Sequence, residues 1–320
     1  MCRACTARPA NARARRGLSM GAAAVRASCC LVCGGATPDR IEHLLLSLTT
    51  ACPHLRVYLV DDAQQPALAA LAGRYGAHYR PQPDWPRQAR AHNRILREAA
   101  AAGSAYHLLL APDIGLPLDA VARMVAYMEQ HPDVGLLAPR VQDVDGRLQP
   151  LCSLLPGPLE LLLGRCFPLL RRSSGRLARY QLHAGGYSRV MEVPVPPGCC
   201  LLMRVETVLR AGMFDERFLQ RFDTVDLARR TACIARTVFV PHVTVLRHPV
   251  RDPARASARG WRRRSAALWW RCVSAWRYFD KWGWLRDAER DRINARALRQ
   301  LGQARRQPDG VSPAGTDVAG

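Results

Sequence analysis

The feature that most constrains this chain is an alternation running through its first half. Short apolar runs at 28–33, 56–60, 77–79, 106–110 and 134–138 read as strands. Amphipathic stretches at 41–50, 66–75, 87–102 and 118–129 lie between them and read as helices, the first with Leu44, Leu45 and Leu48 turned inward. A strand–helix–strand alternation builds an α/β fold, a doubly wound parallel sheet covered on both faces. In such sheets ligands bind where the carboxyl ends of the strands emerge. Asp61 and Asp62 follow the second strand and Asp113 the fourth. One acid at a strand end is ordinarily a turn former; three of them make a candidate site.

A chain of 320 residues that is 48% apolar accommodates one α/β domain with additions, or two modest domains. The longest apolar stretch, 151–170, is broken by Pro156, Pro158, Glu160 and Arg165, so no transmembrane helix is expected. The net charge of +21 is concentrated at the ends. Residues 1–27 carry six arginines and no acid, and 251–306 carry sixteen basic and five acidic residues, leaving the centre near neutral. The first 27 residues have no hydrophobic signal core and read as a disordered basic segment, and the composition beyond 303 reads as a disordered tail. Between 259 and 284, Trp261, Trp269, Trp270, Trp276, Tyr278, Trp282 and Trp284 interleave with arginines. As a helix this stretch presents a basic and an aromatic face, suited to an anionic membrane surface. It also fits a helix docked on the domain by its tryptophans, or a single-strand nucleic-acid binder. With no continuous basic stripe in the centre, no specific nucleic acid is expected. Twelve cysteines include the pairs Cys2/Cys5 and Cys30/Cys33, but 24 residues separate the pairs, against about 15–20 in a zinc ribbon. A strand's pleat sends Cys30 and Cys33 to opposite faces. Buried free thiols in a reducing cytoplasm are the expectation.

The richest stretch is 212–230. Phe214, Phe218 and Phe222 fall at i, i+4 and i+8, and Asp223 or Thr224 can cap a helix over 225–234, where early acids suit the helix dipole. This is either an ordinary capped helix behind a loop, or a carboxylate held beside a cleft as a general base.

These motifs resemble the family 2 glycosyltransferases, especially the rhamnosyltransferase-like branch. Gly212-Met-Phe-Asp-Glu-Arg-Phe218 and Phe222-Asp-Thr-Val-Asp-Leu-Ala-Arg-Arg230 are similar to the branch's Gly-Gly-Phe-Asp-Glu-x-Phe-Phe and Glu-Asp-Val-Asp-Leu-x-x-Arg. Val60-Asp-Asp-Ala63, Arg90-Ala-His-Asn93, Leu108-Leu-Leu-Ala-Pro-Asp113 and Pro197-Gly-Cys-Cys-Leu-Leu-Met-Arg204 also fit, and the likeness covers about 28–250. It implies the GT-A fold, a mostly parallel doubly wound sheet, here with a helical basic extension over 251–303. It implies inverting transfer from a nucleotide-diphosphate sugar, dTDP- or UDP-linked and rhamnose by nearest likeness, to a cell-envelope glycan or lipid-linked acceptor. Asp61 is then expected at the nucleotide base, with Asp62, Arg90 and Asn93 near the ribose or sugar. Asp113 and His248 are expected to hold Mn2+ or Mg2+, and Asp223 or Asp226 to act as the base. Gly198, Asp215 and Glu216 fall on the acceptor side. The implied place is the cytoplasm, peripheral at the inner face of the membrane. Three slots depart from the pattern: Thr224 where the family keeps its base, Ala111 for the first residue of the metal motif, and Cys33-Gly34-Gly35 in the first strand. They keep open a catalytically weak homologue that binds nucleotide-sugar or supports polysaccharide assembly.

Overall fold

Four apolar strands and the helices between them set the architecture. The computed structural model describes residues 26–33, 36–82, 88–161, 175–219, 222–249 and 258–306. Of the ends expected to be disordered, 1–27 and 304–320, residues 1–25 and 307–320 lie outside the described residues, as do the Cys2/Cys5 pair and the Gly34-Gly35 turn, whereas Ala27 opens a strand and 304–306 continue a helix. Strands β1 (Ala27–Val32), β2 (Arg56–Asp61), β3 (His78–Pro81) and β4 (Tyr106–Leu110) alternate with helices α1 (Pro38–Ala51), α2 (Pro66–Arg74) and α3 (Gln88–Ala101). Both α1 and α2 open on a proline, whose missing N–H costs nothing in the first turn. There follow β5 (Ile114–Gly115), α4 (Ala120–Gln130), β6 (Val134–Asp143), α5 (Gly175–Tyr180), β7 (Met191–Glu192), β8 (Cys200–Arg204), α6 (Val205–Arg210), α7 (Phe222–Thr231) and β9 (Arg236–Arg247).

The strands form one sheet in the order β3-β2-β1-β4-β8-β6-β9-β5, with β7 also pairing β9. β1 to β4 are mutually parallel, as are β6 and β9; β8 runs antiparallel to both β4 and β6. The mixed, mostly parallel sheet agrees with the alternation read from the sequence. The pleat divides β1: Cys29, Leu31 and Cys33 join α1, α2 and α4 in the larger core, while Cys30 packs with Ala91, Ile95 and Ala99 of α3. A helix layer thus covers each face.

The apolar runs at 237–241 and 243–246 read from the sequence as a final strand pair, but they form a single strand, β9. Its register against β6 jumps from Pro139↔Val240 to Arg140↔Thr244, so 241–243 bulge out of the ladder. Pro241 has no N–H to donate there, which favours a bulge. Over 212–219 the chain is a loop that opens on two consecutive left-handed residues, Gly212 (φ +83°) and Met213 (φ +58°). The three phenylalanines therefore part company. Phe214 packs into the sheet core against His92, whereas Phe218 and Phe222 cluster with Tyr278 and Phe279.

Those last two residues belong to α8 (Ala258–Trp282), which is followed by α9 (Ala288–Arg306). No helix among the described residues is long and apolar enough to cross a membrane. The extension is fastened to α7 by buried charge. Arg229, 1% exposed, places two nitrogens 2.6 Å from the two carboxylate oxygens of Asp287, and its guanidinium lies 4.1 Å from the centre of the Trp282 ring. Deleting one partner strands the other in a dry site, which costs far more than the intact pair contributes. Arg229→Ala is expected to lower unfolding free energy by roughly 3–5 kcal/mol in urea titration; a loss below about 1 kcal/mol would mean that α9 does not seal this pair.

Candidate active site

Strand register gathers the expected residues at one edge of the sheet. Leu31 pairs with Leu110, Val32 with Val60 and Leu110 with Cys200, so Cys33, Asp61, Ala111 and Cys199 emerge side by side. The Ala111 N–H donates to the Cys199 carbonyl at 2.8 Å, tying the end of β4 to the loop before β8.

Asp61 is fully buried and accepts three hydrogen bonds, from the Ala63 and Gln65 amides (2.9 and 2.6 Å) and the Tyr79 hydroxyl (2.9 Å). Its carboxylate thus shapes the turn leaving β2, and Asp62 sits half-buried beside it. Burial, then the Asp61 carboxylate, pushes the Tyr79 phenol up to about 12. On α3, Arg90 is exposed and Asn93 is buried. The Asn93 amide pairs with the Phe214 backbone in both directions (2.8 and 2.9 Å) and donates to Glu216 at 2.9 Å. Asn93 therefore pins the 214–216 loop to α3, rather than facing the edge freely.

Asp113 and His248 are neighbours through their backbones. The His248 N–H donates to the Asp113 carbonyl at 2.8 Å, and the imidazole lies over Gly115, where a methyl group would stand 2.9 Å from Nε2. A third residue, unforeseen, completes the group. Arg247 Nε donates to Asp113 Oδ2 at 2.8 Å, and its Nη1 lies 3.4 Å from Gln149 Oε1. As a divalent-cation site the set fits poorly. Its one carboxylate is already matched by a guanidinium, and no cluster of three His, Cys, Asp or Glu occurs among the described residues.

The acids of the 212–226 stretch separate by environment. Asp226 has no exposure and accepts from Lys281 Nζ (2.7 Å), Trp282 Nε1 (2.8 Å) and Arg230 Nε (2.8 Å). Sealed and saturated, it has no open oxygen for an acceptor's proton. Asp215 binds Arg217 and Lys281; burial alone would raise its carboxyl, but these two cations outweigh it and hold the group well below the usual range. Asp223 is different. α7 starts at Phe222, so Asp223 and Thr224 lie inside its first turn instead of capping it. Asp223 is 4% exposed, and its Oδ1 accepts from the Thr224 amide at 2.7 Å. Burial pushes its carboxyl up, with the Thr224 bonds opposing in part. Thr224 faces the loop before β8, where a Cβ on Gly198 would come 3.1 Å from its hydroxyl oxygen. One chain of contacts thus runs from Asp223 and Thr224 through Gly198 and Cys199 to Ala111, Asp113, Arg247 and His248. A hollow of about 1200 Å³ lined by Leu155, Glu160, Arg176, Trp284 and Arg290 lies elsewhere, against α9.

Lys281 and Arg247 were the residues that sequence reasoning missed. The one available signal was that Lys281 is the chain's only lysine. A compact ammonium bridging Asp215 and Asp226 gives that choice a reason.

No protein-family model matches the sequence, and no curated protein matches it. Solved structures do. GalNAc-T7 with UDP, GalNAc and Mn2+ aligns at TM-score 0.52 and 12% identity, over 72% of this chain and 45% of that one. The mannosyltransferase PcManGT of Pyrobaculum calidifontis, with GDP-Man and Mn2+, aligns at 0.51 and 18%, over 87% and 75%. TarS 1-349 of S. aureus in complex with UDP aligns at 0.51 and 13%, over 87% and 72%. The chain spans under half the length of the first of these. It has the GT-A glycosyltransferase fold, with helices added at its C-terminal side.

The two acids of α7 predict opposite responses to neutralisation. A carboxyl raised in the folded state above its unfolded value stabilises below about pH 4 and loses that contribution as pH rises. Asp223→Asn is therefore expected to raise Tm at pH 7, the gain vanishing towards about pH 4. Asp226→Asn is expected to cost roughly 3 kcal/mol or more by unmatching Lys281 and Arg230. Thermal and urea melts of both variants check this; equal effects would contradict the division.

Proposed function

We propose that this protein transfers a sugar from a nucleotide-diphosphate donor to an acceptor hydroxyl with inversion at the anomeric carbon. The observation that carries the reading is the continuous run of backbone and side-chain contacts across the sheet edge. It has the Asp113–Arg247 ion pair beside His248 at one end, and at the other a buried carboxylate, Asp223, that burial pushes up. The neighbours' nucleotide ligands, UDP and GDP-Man, support a nucleotide-sugar as the partner. The catalytic unit is residues 28–250 and the extension is 251–303, of which the end of α8 and Asp287 pack on α7.

In this reading the acceptor oxygen attacks the anomeric carbon from the face opposite the diphosphate. The bond from that carbon to the phosphate oxygen breaks, its electron pair leaving with the diphosphate, and the acceptor proton passes to Asp223. A single displacement inverts the centre. Asp226, sealed by three donors, holds α7 in place and takes no proton. Gly198 and Thr224 frame the acceptor, while Asp62, Arg90 and the turn built on Asp61 face the nucleotide. Two neighbours hold Mn2+, and the motif likeness would put Mn2+ or Mg2+ at Asp113 and His248; with Asp113 already matched by Arg247 these residues fit such an ion poorly, and no step here runs through one. A dTDP-linked rhamnose and an envelope glycan or glycolipid remain the closest family likeness for donor and acceptor. The second reading, a weak homologue, is favoured by Ala111 and by Thr224 standing nearest Gly198.

Donor hydrolysis by water separates the two, measured as nucleoside diphosphate released from UDP-, GDP- and dTDP-sugars. One donor class is expected to turn over, with kcat rising with pH along a limb above the ordinary carboxylate range. Asp223→Asn should then lower kcat by about 10²–10⁴-fold with KM nearly unchanged. A donor that binds without turning over would put the weak-homologue reading first.

A lipid-linked acceptor fits α8. Its Tyr278, Phe279 and Trp282 face the domain, while Leu268, Trp269, Cys272 and Trp276 form an outward stripe, Trp269 being 64% exposed. Together with the helix's many arginines, this stripe suits an anionic bilayer surface at the cytoplasmic side. Replacing Trp269 and Trp276 by serine is expected to cut sedimentation with phosphatidylglycerol-containing vesicles severalfold without lowering Tm; unchanged sedimentation would contradict a membrane-facing stripe.

A further inference from the structure

We propose that Arg247, rather than a metal ion, supplies the resident positive charge for the donor's diphosphate, so that nucleotide binding by this chain does not require a divalent cation. The inference rests on the transferase reading and deepens it. Its basis is a mismatch between the metal motif and the side chains that occupy its place. A hard divalent cation takes about six or more oxygen-rich ligands. Here the first residue of the motif is an alanine, Ala111, and the remaining carboxylate, Asp113, is 7% exposed and ion-paired at 2.8 Å with Arg247.

Arg247 is well placed for this part. It is the last residue of β9, opposite Ile114 and next to His248, so its guanidinium stands where the edge of the sheet meets the loop after β4. Only Nε is committed to Asp113. Nη1 makes one long contact with Gln149, and among the described residues no acceptor stands at Nη2. Its side chain is 37% exposed, whereas that of Asp113 is 10% exposed. The pair thus has a buried anionic end and an open cationic end. A guanidinium fixed on one side by a carboxylate presents its remaining N–H groups as a planar fork, the geometry that grips two phosphate oxygens at once. Asp113 then orients the arginine, and His248 flanks it over Gly115. As the sugar–phosphate bond breaks, the electron pair and the charge move onto the leaving phosphate oxygen, which the fork is positioned to stabilise without metal.

The test is calorimetric titration of the full chain with UDP, GDP and dTDP, in EDTA and then in Mn2+, repeated with the matching nucleoside. One diphosphate is expected to bind in EDTA with an affinity within about threefold of that in Mn2+, less than the tenfold that 1.4 kcal/mol would give. Arg247→Gln should weaken it about tenfold or more, the size of a charge-assisted hydrogen bond, while nucleoside binding stays unchanged. Arg247→Lys should recover part of the loss. Because Arg247→Gln leaves Asp113 unmatched, the neutral double variant Asp113→Asn/Arg247→Gln is measured beside it and should show the same loss with a normal melt. Binding that appears only with Mn2+, or that survives Arg247→Gln in EDTA, would overturn the proposal while leaving the transferase reading standing. A folded protein that binds no diphosphate in either buffer would overturn both.

Discussion

A buried carboxylate, Asp226, holds the functional half of this molecule together. An ion of that size taken out of water costs several kcal/mol unless its charge and lone pairs are matched. The matching groups come from two directions. Arg230, one turn further along α7, binds Asp226 and also donates to the carbonyls of Ala211 and Met213, fixing the left-handed turn that starts the 212–219 loop. Lys281 and Trp282 arrive from the end of α8, and Lys281 continues to Asp215 in the same loop. Loop, helix and extension are thereby locked around one charge. Asp223, three residues earlier and without such partners among the described residues, keeps the raised carboxyl that a proton acceptor needs.

This division was only half legible beforehand. The alternation of strands and helices read correctly, because a parallel sheet buries its strands on both faces and so writes near-continuous apolar runs into the sequence. The pleat argument for Cys30 and Cys33 also agrees with the two cores they join. The helical spacing of Phe214, Phe218 and Phe222 has no helix behind it over 212–219, which is the loop before a helix that starts at Phe222 and turns on two consecutive left-handed residues, one of them Met213. The bulge in β9 was split into two strands, since a proline inside an apolar run looks like an end.

For the site, position along strands carried further than residue chemistry. Asp61, Asp113 and His248 all fall where strand ends put them, and the motif likeness brought Asp113 and His248 into one group. Their partners were hidden. Arg247 and Asp113 are 134 positions apart, and Lys281 and Asp226 are 55 apart; no local pattern reports such pairings in a chain so rich in arginine. Asn93 shows the converse. Its motif pointed at the donor, whereas its amide is bound to the Phe214 backbone, a role that only tertiary structure reveals.

In the proposed function a nucleotide-sugar spans the sheet edge, with the nucleotide by Asp62, the diphosphate by Arg247 and the sugar towards Asp223. The most direct measurement is a crystal structure of the full chain soaked with the nucleotide-sugar that it binds best. The account predicts density along that edge, with phosphate oxygens within hydrogen-bonding distance of the Arg247 guanidinium. Density seated elsewhere, or phosphates turned away from Arg247, would contradict it.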